Sequence, residues 1–356
     1  MQIDMHYYGS YVLARMSGFS AKEAKTIATA AKFVDEAIAA EPVNLDGTGY
    51  ILPVVSAHDM LDRKNGDLMD QWRVWVPFHF LPGGKGDKVR EKLVCLRGEI
   101  DNQAAEAVIK LALEHREEPY GFHLLGIVTH VLQDTYAHYG FAGIASDHNL
   151  IDQGKLKATN AGTLQKYIER KARTFVGRLI GSVAENSKLG HASVATYPDR
   201  PYLKWEFEYT DQFGVDVEYD LEDRNNQETF YLACTRLHAL YYTFNNDQKS
   251  VNEEGGHLAF RDDDERKLKG IIETIGKKEE RCDAWRDKMG GQLFAVSENG
   301  EYDEYDDEGW DFLSIREAVE RDEDARKTDA YLYNKAAGIY LNAVADDILP
   351  ALQITE

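Results

Sequence analysis

His130, Asp134 and His138 follow one another at intervals of four residues, and His123 lies seven before the first of them. At about 100° per residue, a helix through them sets Asp134 about 40° round from His130 and His138 about 40° further, with His123 about 20° to the near side. The intervening residues include Leu124, Leu125, Ile127, Val128, Val131, Leu132 and Ala137, with Phe141 just beyond, so the 120–143 segment reads as one buried helix. It is apolar almost all round except for a stripe of imidazoles and one carboxylate. Burying that stripe without partners is costly. Neutral imidazole nitrogens and a carboxylate are the donors that zinc-class ions take. H-x3-D-x3-H on one apolar face therefore reads as a metal site, ahead of the alternative of core histidines hydrogen-bonded to backbone and to Asp134.

Other elements must bring further ligands to that face. Ser20-Ala-Lys-Glu23 is a capping box that opens a helix through Ile27, Ala30, Val34 and Ile38 to about Ala40, with Asp35 beside its apolar stripe. Residues 42–86 hold Pro42, Gly47, Gly49, Pro53, Pro77, Pro82, Gly83, Gly84 and Gly86, the composition of an irregular, partly extended insertion. It carries His58 and His79, and for His79 an aromatic-cluster histidine and a ligand are equal readings. Helices are expected near 87–98 and 102–117, the second opening at Asp101, then a loop at Asp147-His148-Asn149 and an amphipathic helix from Leu164 to Val183. Gly190-His191 and Tyr197-Pro-Asp199-Arg-Pro201 read as a tight loop able to present His191 and Asp199 to a site made elsewhere.

The last third is less informative. Residues 206–224 read as extended, 226–244 as helix, 262–289 as a charge-rich helix or hairpin, 298–311 as a solvated acidic loop and 328–352 as a closing amphipathic helix. The expected fold class is all-α, a multi-helix core over residues 1–205 with the insertion at 42–86. Residues 206–356 form an acidic, mostly helical extension packed on the core. Nine of the 11 histidines precede residue 200, which places the chemistry there.

Composition narrows the partners. With 356 residues and 43 % hydrophobic content the chain can bury an ample core. Its net charge of −21 disfavours long nucleic acid and anionic membrane surfaces. Cys95, Cys234 and Cys282 are scattered and form no CxxC pair, so a reducing compartment fits. The start of the chain does not read as a secretory signal, and no apolar run reaches the roughly 18 residues of a spanning helix. A cytoplasmic protein is the expectation, with the acidic C-terminal region available to a protein partner.

His6 near the start, Asp35, His58, His130-Val-Leu-Gln-Asp134-Thr-Tyr-Ala-His138, His191 and Asp199 together resemble the zinc-dependent phospholipase C and single-strand-specific nuclease superfamily. His6-Tyr-Tyr, Trp75-Val-Pro-Phe-His-Phe-Leu-Pro-Gly83 and Tyr197-Pro-Asp-Arg-Pro201 resemble in particular an uncharacterised bacterial branch of it. The resemblance covers about residues 1–205. It implies an all-α metal-cluster hydrolase of phosphoester bonds, holding two or three zinc ions and acting on a small phosphoester or lipid-like substrate.

Carried onto this chain, the resemblance gives one metal to His58, His130 and Asp134, lets Asp134 bridge to a metal on His6, and gives another to His138 and His191. Asp35 becomes the general base or a bridging carboxylate. Founding members place the amine and carbonyl of an N-terminal Trp on one zinc, a corner that here falls to Asp4 and His6. They also leave a gap of five residues between the Asp and the next His, against three here, which keeps His138 on the helix, and they end on His-x3-Glu, where this chain has Ala195 and then Asp199. Asp59, Asp62 and Asp147 are the expected supports for the imidazoles. Two other readings stand beside this one: a helical phosphohydrolase built on the adjacent pair His58-Asp59, and a metal-binding structural protein without catalysis.

Overall fold

The computed structural model describes residues 1–45, 49–59, 62–99, 101–182, 188–246, 260–289, 304–321 and 323–355, with backbone alone at residues 45 and 179–182. Val183 and the 298–303 part of the acidic run lie outside the described residues. The chain is mainly helical, with two small antiparallel sheets. Among the described residues no helix is long and apolar enough to cross a membrane.

The helix Gly121–His138 is the axis of the fold, and every residue from His123 to His138 is buried. Around it pack Ala21–Phe33, Gln103–Glu114, Asn226–Asn245 and Asp329–Asn342, with the π-helical turn Asp4–Gly9 against the end that bears Asp134. Helices hydrophobic all round must be covered on every side, and this one is. The core it anchors joins Tyr7, Val12, Ile27, Leu125 and Val131 to Phe230, Leu237, Tyr241 and Tyr340, so residues beyond 205 pack in the same core as those before.

Gly126 sets the closest approach. A Cβ there would stand 2.4 Å from Ala30 Cβ and 2.5 Å from the Ile27 carbonyl oxygen, so only glycine lets the central helix and Ala21–Phe33 meet this closely. The capping box at Ser20 and Glu23 forms as expected. The helix it opens nonetheless stops at Phe33, not near Ala40. In a continuing helix the Ala31 carbonyl would accept from the Asp35 N–H. Here that carbonyl accepts from the ring of His130, and the Asp35 N–H turns back to Lys32.

Strand β1 (Val43–Leu45) pairs with β2 (Gly49–Ile51), and β3 (Lys157–Ala158), β4 (Lys204–Glu206) and β5 (Asp223–Asn225) form the second sheet in that order. Trp205, Phe207, Phe141 and Tyr197 pack into a second apolar cluster beside it, which supports the loop from His191 to Arg200. The expected 87–98 helix shrinks to Val89–Lys92, because Val94 and Cys95 bridge to Ala142 and Pro82 as extended chain. Asn102, not Asp101, caps the following helix through its Oδ1. Part of the expected irregular insertion is helical, from Leu68 to Phe78, with Pro77 in the first turn of its last segment, where no N–H is needed. Residues 262–289 form a helical hairpin, Asp262–Ile272 and Lys278–Lys288.

Candidate metal centre

The central helix carries His130, Asp134 and His138 on one face, as its period requires. Asp134 sits in the middle, its two oxygens looking different ways. Oδ1 meets the amino group of Met1 and lies 3.4 Å from His6 Nε2. Oδ2 lies 3.1 Å from His130 Nε2 and 3.3 Å from His79 Nδ1. Beyond Met1, Asp199 Oδ1 lies 3.3 Å from His138 Nε2 and 3.5 Å from the same amino group.

Three groups of donor atoms result, each with all its atoms within 4.8 Å of one another: His6, His130 and Asp134; Asp35, His79 and His130; His138, His191 and Asp199. They adjoin a cavity of about 320 Å³ whose walls include Asp35, His79, Asp134, His138, His191 and Asp199.

Each of the five imidazoles could satisfy itself in many ways, yet all share one pattern. One ring nitrogen faces an oxygen acceptor outside the centre, and the other faces inward. His130 Nδ1 donates to the Ala31 carbonyl at 2.8 Å, His79 Nε2 to that of Ser56 at 2.8 Å, His138 Nδ1 to that of His79 at 3.0 Å and His191 Nδ1 to that of Ala195 at 2.8 Å. His6 Nδ1 donates to Gln133 Oε1 at 2.7 Å. The Gln133 amide is itself oriented, since its NH2 donates to the Met5 carbonyl at 3.2 Å and to Ser10 Oγ at 2.8 Å. A carbonyl cannot donate, so each outer nitrogen carries a proton, and in a neutral ring the inner one then has the lone pair that a metal would take. This is how metal-ligating histidines are held. The inner nitrogen of His6 has no hydrogen-bond partner although the residue is fully buried, an orphan that a metal would satisfy.

His148 is the contrast. Its Nε2 donates to the Gly140 carbonyl and its Nδ1 accepts from the Phe213 N–H, at 2.8 and 2.9 Å, so both nitrogens are used and neither is free for metal.

Electrostatics keep the centre in its ligand-ready form. Burial, aided by His6, lowers the His130 pKa to about 3 against the pull of Asp134, and burial and His138 lower that of His191 to about 4. Both rings are neutral at pH 7. Burial alone would raise the Asp134 carboxyl, but His138, the Met1 amino group and His130 outweigh it and hold it well below the usual carboxylate range. Asp199 is held below that range in the same way, with burial opposed by Met1 and His191. The Met1 amino group, which burial would lower, is instead raised to about 10 by Asp134 and Asp199. Two buried carboxylates thus share one ammonium.

Of the residues named from sequence, His6, Asp35, His130, Asp134, His138, His191 and Asp199 come together here. His58 lines the cavity but stands in none of the three groups; its Nε2 lies 3.8 Å from Asp70. His79 occupies the position beside His130 and Asp134 that the resemblance gives to His58. Its signal was an ambiguous one, a histidine among aromatics following Pro77. Asp4 faces away, paired through both oxygens with Arg281, and the Met1 amino group stands in the corner expected for Asp4. The expected carboxylate supports are replaced by backbone carbonyls and Gln133: Asp62 caps the Lys64 N–H and Asp147 pairs with Lys188, while Asp59 is exposed and stands in none of the groups. His123, on the helix but two turns before His130, donates from Nε2 to Asp329 Oδ1 at 2.9 Å and takes no part.

Among known proteins, no curated protein and no solved structure matches the chain. A sequence family does match, over residues 1–348, nearly the whole length. The chain belongs to that family, described as a family of unknown function, DUF6765.

Proposed function

We propose that the protein is a metal-dependent hydrolase of phosphoester bonds, with zinc as the ion that suits its donors. The observation that carries this is the shared arrangement of His6, His79, His130, His138 and His191, each with its outer nitrogen fixed on an oxygen and its inner one turned toward the carboxylates of the centre. Neutral imidazoles with carboxylates suit zinc-class ions better than calcium or magnesium, which prefer oxygen throughout. Asp134, with one oxygen toward Met1 and His6 and the other toward His130 and His79, would offer a ligand atom to each side.

Bound divalent ions would supply Lewis acidity toward a phosphoryl oxygen and make water in the cavity more acidic. The chain supplies the rest. The Ala31, Ser56, His79 and Ala195 carbonyls and Gln133 keep the imidazoles from rotating. Phe80, stacked on His138 at 5.0 Å, and Trp75, at 5.0 Å from His79, give the cavity apolar walls that keep water out of the donor shell. Asp35 stands at the edge, its side chain about a third exposed and its Oδ1 4.0 Å from His130. Burial would raise its pKa, but Lys32, then His130 and His6, hold it below the carboxylate range. An acid that strong is a better ligand and a better acceptor for orienting water than a proton store.

The test is turnover of bis-p-nitrophenyl phosphate with zinc, with manganese and with EDTA. EDTA-sensitive, metal-restored hydrolysis is the expected result. Protein that holds its metal and hydrolyses no phosphoester would instead be a metal-binding structural protein.

A further inference from the structure

A second cavity, of about 460 Å³, adjoins the first, and Met1, Asp35 and Thr196 line both. Its walls gather Lys32, Lys171, Arg200, Lys277, Lys278 and Arg281 against the carboxylates of Asp35 and Glu279, a concentration of cations in a chain of net charge −21. Carboxylates answer two of them: Asp35 and Glu36 pair with Lys32, and Asp4 pairs with Arg281. Lys171 and Lys277 stand over the ring of Tyr167, which lines the same cavity, at 5.2 and 5.9 Å.

Arg200 is the telling residue. It is 5 % exposed, yet the hydrogen bond of its guanidinium goes to a neutral group, Thr196 Oγ1, at 3.2 Å, and its Nε has no partner. Among the described residues no carboxylate pairs with it. A guanidinium cannot shed its charge, and a buried charge without a counter-ion is costly. Its neighbour Asp199 faces the metal centre, so the Pro198-Asp199-Arg200-Pro201 turn presents an anion to one cavity and a cation to the next.

We propose that the Arg200 pocket is an anion subsite that takes a terminal phosphate group, so that the substrate is a small molecule with two phosphorylated positions. One of these reaches the metal centre past Thr196, and the other is held by the planar fork of Arg200 with Lys171 and Lys278. The guanidinium matches the paired oxygens of a phosphate, and the lysines add charge without fixed geometry. The assignment to a substrate rests on the metal-hydrolase reading, while anion binding by the pocket does not.

Calorimetric titration of inorganic phosphate into the full chain, as purified and after EDTA treatment, separates the two. Metal content is measured on the same samples. Phosphate should bind the EDTA-treated protein, with affinity falling about tenfold or more in Arg200→Met, the loss of one charge-assisted partner. The Lys171→Gln/Lys278→Gln pair, both exposed, should weaken it too without disturbing the buried turn, and metal content should not change in either variant. Absence of phosphate binding after EDTA treatment, or binding that neither variant weakens, overturns the subsite. For the substrate, hydrolysis of a phosphodiester bearing a terminal phosphate should suffer more in the lysine pair than hydrolysis of bis-p-nitrophenyl phosphate. Equal loss on both would reject the second phosphate, while no hydrolysis of either in the parent protein with phosphate binding intact would count against the hydrolase reading alone.

Discussion

His130 donates its Nδ1 proton to the carbonyl of Ala31 at 2.8 Å, and this bond ties the end of one helix to the middle of another. It fixes which nitrogen of His130 faces Asp134, and it takes the acceptor that the Ala21–Phe33 helix would need to continue. The chain then turns at Asp35 and delivers that carboxylate to the same centre.

The close packing that makes this bond depends on Gly126, one helical turn before His130. Gly126→Ala should destabilise the protein by about 1–3 kcal/mol, the range for overpacking, and should lower metal occupancy, because the contact at 2.4 Å forces the helices apart. Urea unfolding and metal analysis check both. Gly177→Ala, on an exposed helix position with nothing near its Cβ, is the control and should hold or slightly raise stability.

Among the described residues the Gln133 side chain hydrogen-bonds to His6 of the centre and otherwise to Met5 and Ser10, so it separates support from ligation. Gln133→Leu removes the acceptor of His6 Nδ1. Loss of such a support lowers metal affinity about 10–100-fold. Competition with a chromophoric chelator reads this directly. His148→Phe, at a ring whose two nitrogens are both engaged elsewhere, should leave metal affinity unchanged.

That contrast also marks how far the sequence could be read. The stripe of His130, Asp134 and His138 was legible because helical period alone puts them on one face. His191 and Asp199 were legible as a loop of unusual composition, and their meeting with His138 depends on the second apolar cluster that holds the loop. His58 and His79 could not be told apart. The choice between them depends on Ser56, whose hydroxyl donates to the Val34 carbonyl and whose own carbonyl is thereby turned toward His79. No local pattern reports such a contact. The expected carboxylate supports failed for a related reason: backbone carbonyls are present at every position, and only packing decides which ones face a ring.

The buried imidazoles make the metal-free protein sensitive to acid. In the folded chain His130 and His191 protonate near about 3 and about 4, well below the ordinary histidine value of 6.5. The unfolded chain therefore binds more protons below that value, and stability falls as pH falls. Their contribution is complete above about pH 6.5 and is lost progressively toward pH 4. Urea midpoints of EDTA-treated protein at pH 7.5, 6 and 5 should decline in that order. A midpoint independent of pH over this interval would mean that the rings are not held neutral.

Asp35→Asn keeps the shape of the side chain and removes its charge. Turnover of bis-p-nitrophenyl phosphate should fall roughly 100-fold or more, the scale of a lost catalytic carboxylate. Metal analysis of the same variant divides its roles: occupancy that falls with activity marks a ligand, and occupancy that holds marks a group that orients water.

Metal content decides the central matter. Protein purified without added metal or chelator should contain more than one equivalent of a divalent ion, chiefly zinc, per chain, and Asp134→Asn should lose most of it. A chain that contains no such ion, and takes up none on dialysis against zinc, would contradict the metal centre and the hydrolase built on it.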